Sequence, residues 1–180
     1  MTVSITINGP DGPLDVDVPS VGGEPVVIPL VSALIERSDG TIFLQKRAKP
    51  GESAFGRWEL PGGRWTAGES AATVVRREVN EETGMTVVSV FGSHEISGDL
   101  GRFELLAPDL VITGHGGAFP LHVTVLRVET HGSPRPLEGE TSDPTWMSRR
   151  EVAALLARNR NAFVPIVAVI LDAVFAEEES

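Results

Sequence analysis

A glycine-rich turn that leads directly into a glutamate-bearing helix constrains the fold of this chain more than any other feature. The turn spans residues 60–69 and contains Gly62, Gly63 and Gly68. Glycine lets the backbone approach a ligand closely, so such a turn before a helix is typical of a binding site. From Gly68 to Thr83 the apolar residues recur at helical spacing, and Gly84 supplies a C-terminal stop.

Three carboxylates share one edge of this predicted helix. At 100° per residue, Glu81 lies about 60° to one side of Glu78 and Glu82 about 40° to the other. Like charges at this spacing destabilise a helix, and a bound Mg²⁺ or Mn²⁺ would offset the repulsion, because hard divalent cations take oxygen ligands. A solvated acidic face is the alternative interpretation.

Composition narrows the classes of protein. The chain has 180 residues, with 15 Lys and Arg against 25 Asp and Glu, a formal net charge of −10. This length predicts one domain, and the charge argues against a nucleic-acid or anionic membrane surface. An acidic protein still acts on phosphates when a divalent cation mediates. The absence of cysteine excludes disulfides, thiolate metal sites and thiol nucleophiles.

Strand patterns precede and follow the helix. Alternating apolar residues predict an N-terminal hairpin, followed by a linker over Pro19–Pro25, so we expect an extension over residues 1–26 and a main domain over 27–180. Further strands are predicted at 26–36 and 41–47, around the turn Ser38–Gly40, and at 86–92, 102–106 and 121–129. Loops are predicted at 48–57 and 114–117.

Two more helices are predicted near the C-terminus. Ser148 and Glu151 have capping-box spacing, and a final helix runs from about Phe163 to Phe175 with Pro165 in its first turn. The fold class is therefore α/β or α+β. The final helix is apolar on nearly every side, so it must be buried in the domain or against a second subunit, and a homodimer is a reasonable hypothesis. With neither a signal peptide nor a membrane span in the pattern, a cytoplasmic location is expected.

The segment from Gly63 to Met85 resembles the Nudix box at every specified position. The matching residues are Gly63, Glu69, Arg77, Glu78, Val79, Glu81, Glu82, Gly84 and Met85. The flanking segments 45–47, 57–63 and 144–148 also look like the family, and the resemblance covers about residues 27–160. It implies an α/β/α sandwich with a mixed sheet, and metal-dependent hydrolysis of a nucleoside diphosphate linked to a group X.

The resemblance also implies roles for particular residues. The Gly63 carbonyl, Glu78 and Glu82 would bind Mg²⁺ or Mn²⁺, with Glu81 serving a second ion or a bound water. Arg77 would orient a box glutamate, and Glu69 would have a weaker positioning role. Among Glu138, Glu140 and Asp143, Glu140 is our choice of general base, against the alternative of an ordinary solvated turn.

The substrate itself is expected to be a nucleotide-type small molecule. Candidate contacts are Arg47, Gly62, Gly63, Trp65 and His115. Trp65 is the better candidate for stacking on a base, whereas a core position is expected for Trp58, and a structural role outweighs substrate contact for His122.

No subfamily motif in the sequence identifies the class of substrate. The chain has no tyrosine, position 101 is Gly where ADP-ribose pyrophosphatases have proline, and the coenzyme A signature matches only in part. Two alternatives to a pyrophosphohydrolase exist on this fold. A nucleotide-sensing module on the same fold has no need for all three glutamates, and isopentenyl-diphosphate isomerase chemistry needs a cysteine.

Overall fold

A computed structural model of the protein describes residues 1–9, 12–52, 54–99, 101–114 and 121–176. Its strands are β1 (Thr2–Gly9), β2 (Gly12–Val21), β3 (Glu24–Pro25), β4 (Ile28–Ile35), β5 (Thr41–Arg47), β6 (Trp58–Glu59), β7 (Gly62–Arg64), β8 (Thr86–Val90), β9 (Ser93–Gly98), β10 (Gly101–Leu106), β11 (Leu110–Thr113), β12 (Leu121–His131) and β13 (Thr141–Ser148). Its helices are α1 (Ala71–Thr83), α2 (Arg149–Arg158) and α3 (Pro165–Ala176), with a short 3₁₀ turn at Arg160–Ala162.

The central sheet is mixed, as expected. Its strand order is β11-β12-β4-β7, with β8 also paired to β12. Strand β12 runs parallel to β4, Leu121 opposite Ile28, and antiparallel to both β11 and β8. A second sheet has the order β13-β5-β6.

Alternate residues of the strands enter two separate cores. On β4, Val31, Ala33 and Ile35 pack with α1, whereas Leu34 packs with α2 and α3. On β5, Phe43 joins the first core, and Ile42 and Leu44 join the second. Since successive side chains of a strand point to opposite faces, the sheets lie between α1 and the α2–α3 pair. This confirms the α/β/α arrangement.

The three predicted helices are all present, and their ends follow local signals. Ser70 caps α1 by accepting a hydrogen bond from the Thr73 amide, and Gly84 ends it in the left-handed region. Ser148 and Glu151 form the predicted capping box of α2. Pro165 is the first residue of α3. The buried residues of α3 face the protein's own core, so this helix needs no second subunit to cover it.

The strands differ from the sequence-based picture in three respects. Residues 19–25 are not a linker, since Ser20 and Val21 pair with Pro25 and Glu24. Strands β4 and β5 flank the predicted turn but belong to different sheets, joined only by a bridge from Glu36 to Ile42 among the described residues. Strands β9 and β11 were not predicted, because a short polar strand and a four-residue strand give little alternation.

The N-terminal hairpin is present, with β1 and β2 antiparallel and β3 added to β2. Within the described residues these strands form a sheet of their own. Among the helices of the described ranges, none combines the length and apolar character that a bilayer crossing requires.

Candidate active site

The glycine turn brings the backbone against the helix that carries the glutamates. Strand β7 pairs with β4, placing Gly63 opposite Val31 and Gly62 opposite Ser32. A Cβ on Gly63 would lie 2.2 Å from Glu78 Oε1, and one on Gly62 would lie 2.3 Å from the Val31 carbonyl oxygen. Both positions therefore require glycine for close packing, and Gly63 lies directly against the Glu78 carboxylate.

Arg77 links three of the predicted carboxylates. Its Nε donates to Glu69 Oε1 at 3.1 Å, and its Nη1 donates to Glu78 Oε1 at 2.6 Å and to Glu81 Oε2 at 3.3 Å. These charge-assisted bonds lower the pKa of Glu69 and raise that of Arg77. The predicted contact between Arg77 and a box glutamate is present, and Glu69 holds the other side of the same guanidinium.

Glu82 points away from this group, toward the second sheet. Gln45 Nε2 donates to its Oε2 at 2.7 Å, and the Gly62 amide donates to the same oxygen at 3.3 Å. Burial, followed by the nearby Glu59 and Glu78 carboxylates, raises the pKa of Glu82 to about 8.

Glu59 is the acidic group that sequence reasoning missed. It is only 8% exposed, on the two-residue strand β6. Arg47 Nε donates to its Oε2 at 2.9 Å, yet burial outweighs this bond and raises the pKa of Glu59. Its position immediately before the glycine turn was the one available signal. Its approach to Glu82 depends on how β5, β6 and α1 pack.

The start of β13 and the loop before it lie against the far end of α1. The Thr141 hydroxyl donates to the Glu82 carbonyl at 3.2 Å, and the Ala48 amide donates to the Glu140 carbonyl at 2.8 Å. Glu140 immediately precedes Thr141, so its backbone lies near the end of α1, and its side chain is exposed. Asp143, another candidate base, forms a salt bridge of 2.9 Å with Lys46.

The predicted substrate residues lie on two sides of the glycine turn. Arg47, Gly62 and Gly63 line a pocket of about 230 Å³ that also contains Glu59 and apolar side chains of β4 and α3. Trp65 lies on the other side of the turn, where its Nε1 donates to the Glu69 carbonyl at 2.8 Å. His115 lies outside the described residues. Trp58 packs against the core, as expected.

The described part of the chain contains no ready-made group of three or more His, Asp or Glu side chains positioned for a metal ion. The contacts explain this, because Arg77 holds Glu78 and Glu81 while Gln45 and Gly62 hold Glu82. The predicted convergence on one edge of α1 is thus realised as two neighbouring groups of carboxylates.

Comparison with known proteins identifies the family. The NUDIX domain matches residues 28–167, and the chain belongs to the NUDIX domain family. Among relatives, a Mycobacterium tuberculosis protein whose name assigns it to the 8-oxo-dGTP diphosphatases is 38% identical over 60 residues, which cover 33% of this chain and 42% of that protein. A MutT-like protein of Streptomyces ambofaciens is 28% identical over 127 residues, 71% of this chain and 68% of that protein.

A solved structure supports the fold. The MutT protein of Methanosarcina mazei Go1 superposes with a TM-score of 0.59 at 20% identity, covering 86% of this chain and 96% of that one. The match to the Mycobacterium protein spans less than half of its length. These relationships identify the family and the fold.

Proposed function

We propose that this protein hydrolyses a pyrophosphate bond in a nucleoside diphosphate linked to a group X, with the help of a divalent cation. One observation carries the proposal: the Gly62–Gly63 turn, which lines a pocket, is in contact with both Glu78 and the partly buried Glu82. Oxygen groups without His or Cys, beside a cleft, form a donor set that suits Mg²⁺ or Mn²⁺ and a phosphate-bearing ligand.

The residues present fit such an ion. Glu78, Glu82 and the Gly63 carbonyl would hold it, and Glu81 would serve a second ion or a bound water. Glu59 adds a carboxylate close to Glu82. When bound, the cation neutralises charge on the pyrophosphate and lowers the pKa of an attacking water.

The chain's other residues position these groups. Arg77 restrains Glu78 and Glu81 through a single guanidinium, and Gln45 restrains Glu82. Glu140, next to the end of α1, is the proposed general base, because its exposed carboxylate is free of the ion pair that holds Asp143.

The pocket beside Gly62 and Gly63 suits the nucleoside. Apolar side chains such as Leu60 and Val164 form its walls, and Arg47 and Arg64 supply positive charge at the level of the turn. Arg47, Gly62 and Gly63 are thus the proposed substrate contacts here, and His115 keeps its predicted role as a further contact.

A release assay tests the proposal. Nucleoside triphosphates including 8-oxo-dGTP are incubated with Mg²⁺ and coupling pyrophosphatase. ADP-ribose, nucleotide sugars and dinucleoside polyphosphates are incubated with Mg²⁺ and coupling phosphatase. We expect turnover of one class, lost in Glu81→Gln/Glu82→Gln and retained in Glu129→Gln, an exposed glutamate on β12. Equal turnover in the double variant would overturn the proposed metal ligands.

A non-catalytic nucleotide-binding module is the second candidate. The observation in its favour is that Arg77 engages two of the three box glutamates on helix α1. This candidate predicts nucleotide binding by calorimetry together with no turnover across the whole panel, and any glutamate-dependent turnover excludes it.

A further inference from the structure

A second pocket lies beside the first turn of α1, apart from the pocket at Gly62 and Gly63. It encloses about 580 Å³, a volume within the range of small-molecule sites. The loop after the glycine turn forms one wall, and the β9–β10 hairpin forms the other. Its lining includes Trp65, Glu69, Thr73, Glu95, Arg102 and Glu104.

Glu104 fixes the hairpin wall against the helix. Its carboxylate accepts hydrogen bonds from the Ala71 amide at 2.6 Å and the Ala72 amide at 3.0 Å, and from the Ser93 hydroxyl at 2.7 Å. A two-stranded hairpin is marginal alone, so these bonds determine where the wall stands. The pocket is therefore part of the fold and is tied directly to the helix with the box glutamates.

The start of α1 does not recruit a phosphate into this pocket. Glu104 takes the first two amides of the helix, the Ser70 hydroxyl takes the Thr73 amide, and the Ser70 carbonyl takes the Val74 amide. Helix N-termini attract anions through unpaired amides, and here the amides of the first three helical residues are bonded to side chains, while the Val74 amide makes the first bond within the helix.

The charges of the lining also disfavour an anion. Three carboxylates, on Glu69, Glu95 and Glu104, face a single lining guanidinium, that of Arg102. Arg102 and Glu95 are exposed and form no ion pair with the described residues, so both are free to bond to a ligand. Trp65, held by the Glu69 carbonyl, contributes a fixed aromatic surface.

Glu69 connects the pocket to the proposed reaction site. This residue lines the pocket and holds Arg77, whose guanidinium also holds Glu78 and Glu81. Glu78 lies five positions after Thr73, about 7.5 Å along the helix axis. A group attached to a pyrophosphate at Glu78 is within reach of the pocket.

We propose that this pocket binds the group X of the substrate, and that X is an uncharged, polyhydroxylated ring, as in a nucleoside diphosphate sugar. Hydroxyl groups donate to Glu95 and accept from Arg102, and the apolar face of the ring packs on Trp65. The proposal rests on the proposed function, whose pyrophosphate it places between the two pockets. A terminal phosphate in place of X would be repelled by the excess of carboxylates in the pocket lining.

The test compares matched substrates. The kcat/KM values of UDP-glucose and UTP, ADP-glucose and ATP, and GDP-mannose and GTP are measured for the wild type, Arg102→Ala and Glu95→Ala. The control is Arg158→Ala, an exposed arginine on α2. We expect the wild type to prefer a nucleotide sugar, the ratio of sugar to triphosphate to fall at least tenfold in both pocket variants, and the control ratio to stay within twofold.

A wild-type preference for the triphosphate, or a ratio that neither variant changes, overturns the assignment of the pocket. If neither class is hydrolysed, the wider release panel decides the proposed function, and the pocket is tested separately by calorimetry. Tighter binding of UDP-glucose than of UDP, lost in Arg102→Ala, supports the pocket. Equal binding of the two ligands overturns it.

Discussion

At the scale of single residues, the site depends on close approach and on buried charge. Gly63 leaves space for the Glu78 carboxylate, and Glu82 lies among other acids with two hydrogen-bond donors. The box residues and their order along α1 were predictable, because helical spacing is local. The contribution of Glu59 was not predictable, because it depends on how β6 packs beside α1.

Gly63→Ala tests the close approach. A Cβ 2.2 Å from Glu78 Oε1 forces the carboxylate to move. Displacing a catalytic group by about 1 Å costs on the order of 100-fold in rate, so kcat should fall by that order. Gly40→Ala is the control, since its φ of +77° is strained by any side chain but its Cβ meets nothing within 4 Å. Loss of stability with normal kcat is expected there, and equal kcat in both variants would contradict the role of Gly63.

Stability should fall as pH rises in the metal-free protein. The pKa of Glu82 is raised to about 8, so between about pH 4.5 and 8 the folded state binds a proton that the unfolded state has released. Glu36 and Glu69, whose pKa values are lowered, lose their stabilisation only below this window.

Thermal melts in EDTA at pH 5, 6.5 and 8 measure the effect. We expect Tm to drop by at least about 4 °C, the shift produced by 1 to 2 kcal/mol in a domain of this size. Glu82→Gln should reduce the slope and leave the part due to Glu59, whose pKa is also raised by burial, and added Mg²⁺ should restore Tm at pH 8. A Tm that is constant or rises over this range argues against a buried, protonated Glu82.

At the scale of elements, α1 is held at both ends by other parts of the chain. Glu104 of β10 binds its first amides, and Thr141 of β13 binds the Glu82 carbonyl near its last turn. Helix ends such as Ser70, Gly84 and Ser148 were predictable, because capping depends on nearby residues. The Glu104 contact joins residues more than thirty positions apart, so no local pattern indicated it.

Glu104→Ala should destabilise the protein through α1. The variant leaves two backbone amides and the Ser93 hydroxyl without their acceptor, at a cost of about 1 to 3 kcal/mol. Urea unfolding gives the free energy. Glu104→Gln retains one acceptor oxygen and should recover part of the loss, whereas Leu105→Ala, an exposed neighbour, should change little. Equal stability of Glu104→Ala and wild type would show that the contact is dispensable.

At the scale of the whole molecule, a mixed-sheet sandwich carries an additional N-terminal sheet. The class of fold was predictable from the strand and helix periods together with the box. The division of β4 and β5 between two sheets was not, because neighbouring strands separated by a turn usually pair. Among the described residues, strands β1, β2 and β3 pair only with one another, although Val18 is fully buried.

Removal of residues 1–26 tests the predicted boundary. The family match begins at residue 28, and none of the site residues lies before it. We expect the remaining chain to fold and to keep kcat within about twofold. Loss of the buried Val18 should cost about 1.5 to 3 kcal/mol of stability. An unfolded product, judged by circular dichroism, would show that the hairpin belongs to the main domain.

Homodimer formation stays a prediction. The apolar final helix suggests it, yet α3 buries most of its apolar residues within its own chain. Light scattering coupled to size exclusion at micromolar concentration distinguishes a species of 19.2 kDa, the mass of one chain, from one of twice that mass.

The parallel pairing of β12 with β4 also determines when the protein becomes competent during its synthesis. Ile28 cannot pair until Leu121 has been synthesised. In the same way, the Glu82 carbonyl has no hydrogen-bond donor until Thr141 has been synthesised. A nascent chain that has delivered the whole glutamate helix from the ribosome still lacks the strand beside β4 and the closing loop. Because long-range pairing forms slowly and late, the chain carries its glutamates without a complete site while the 59 residues from Glu82 to Thr141 are made, about a third of translation.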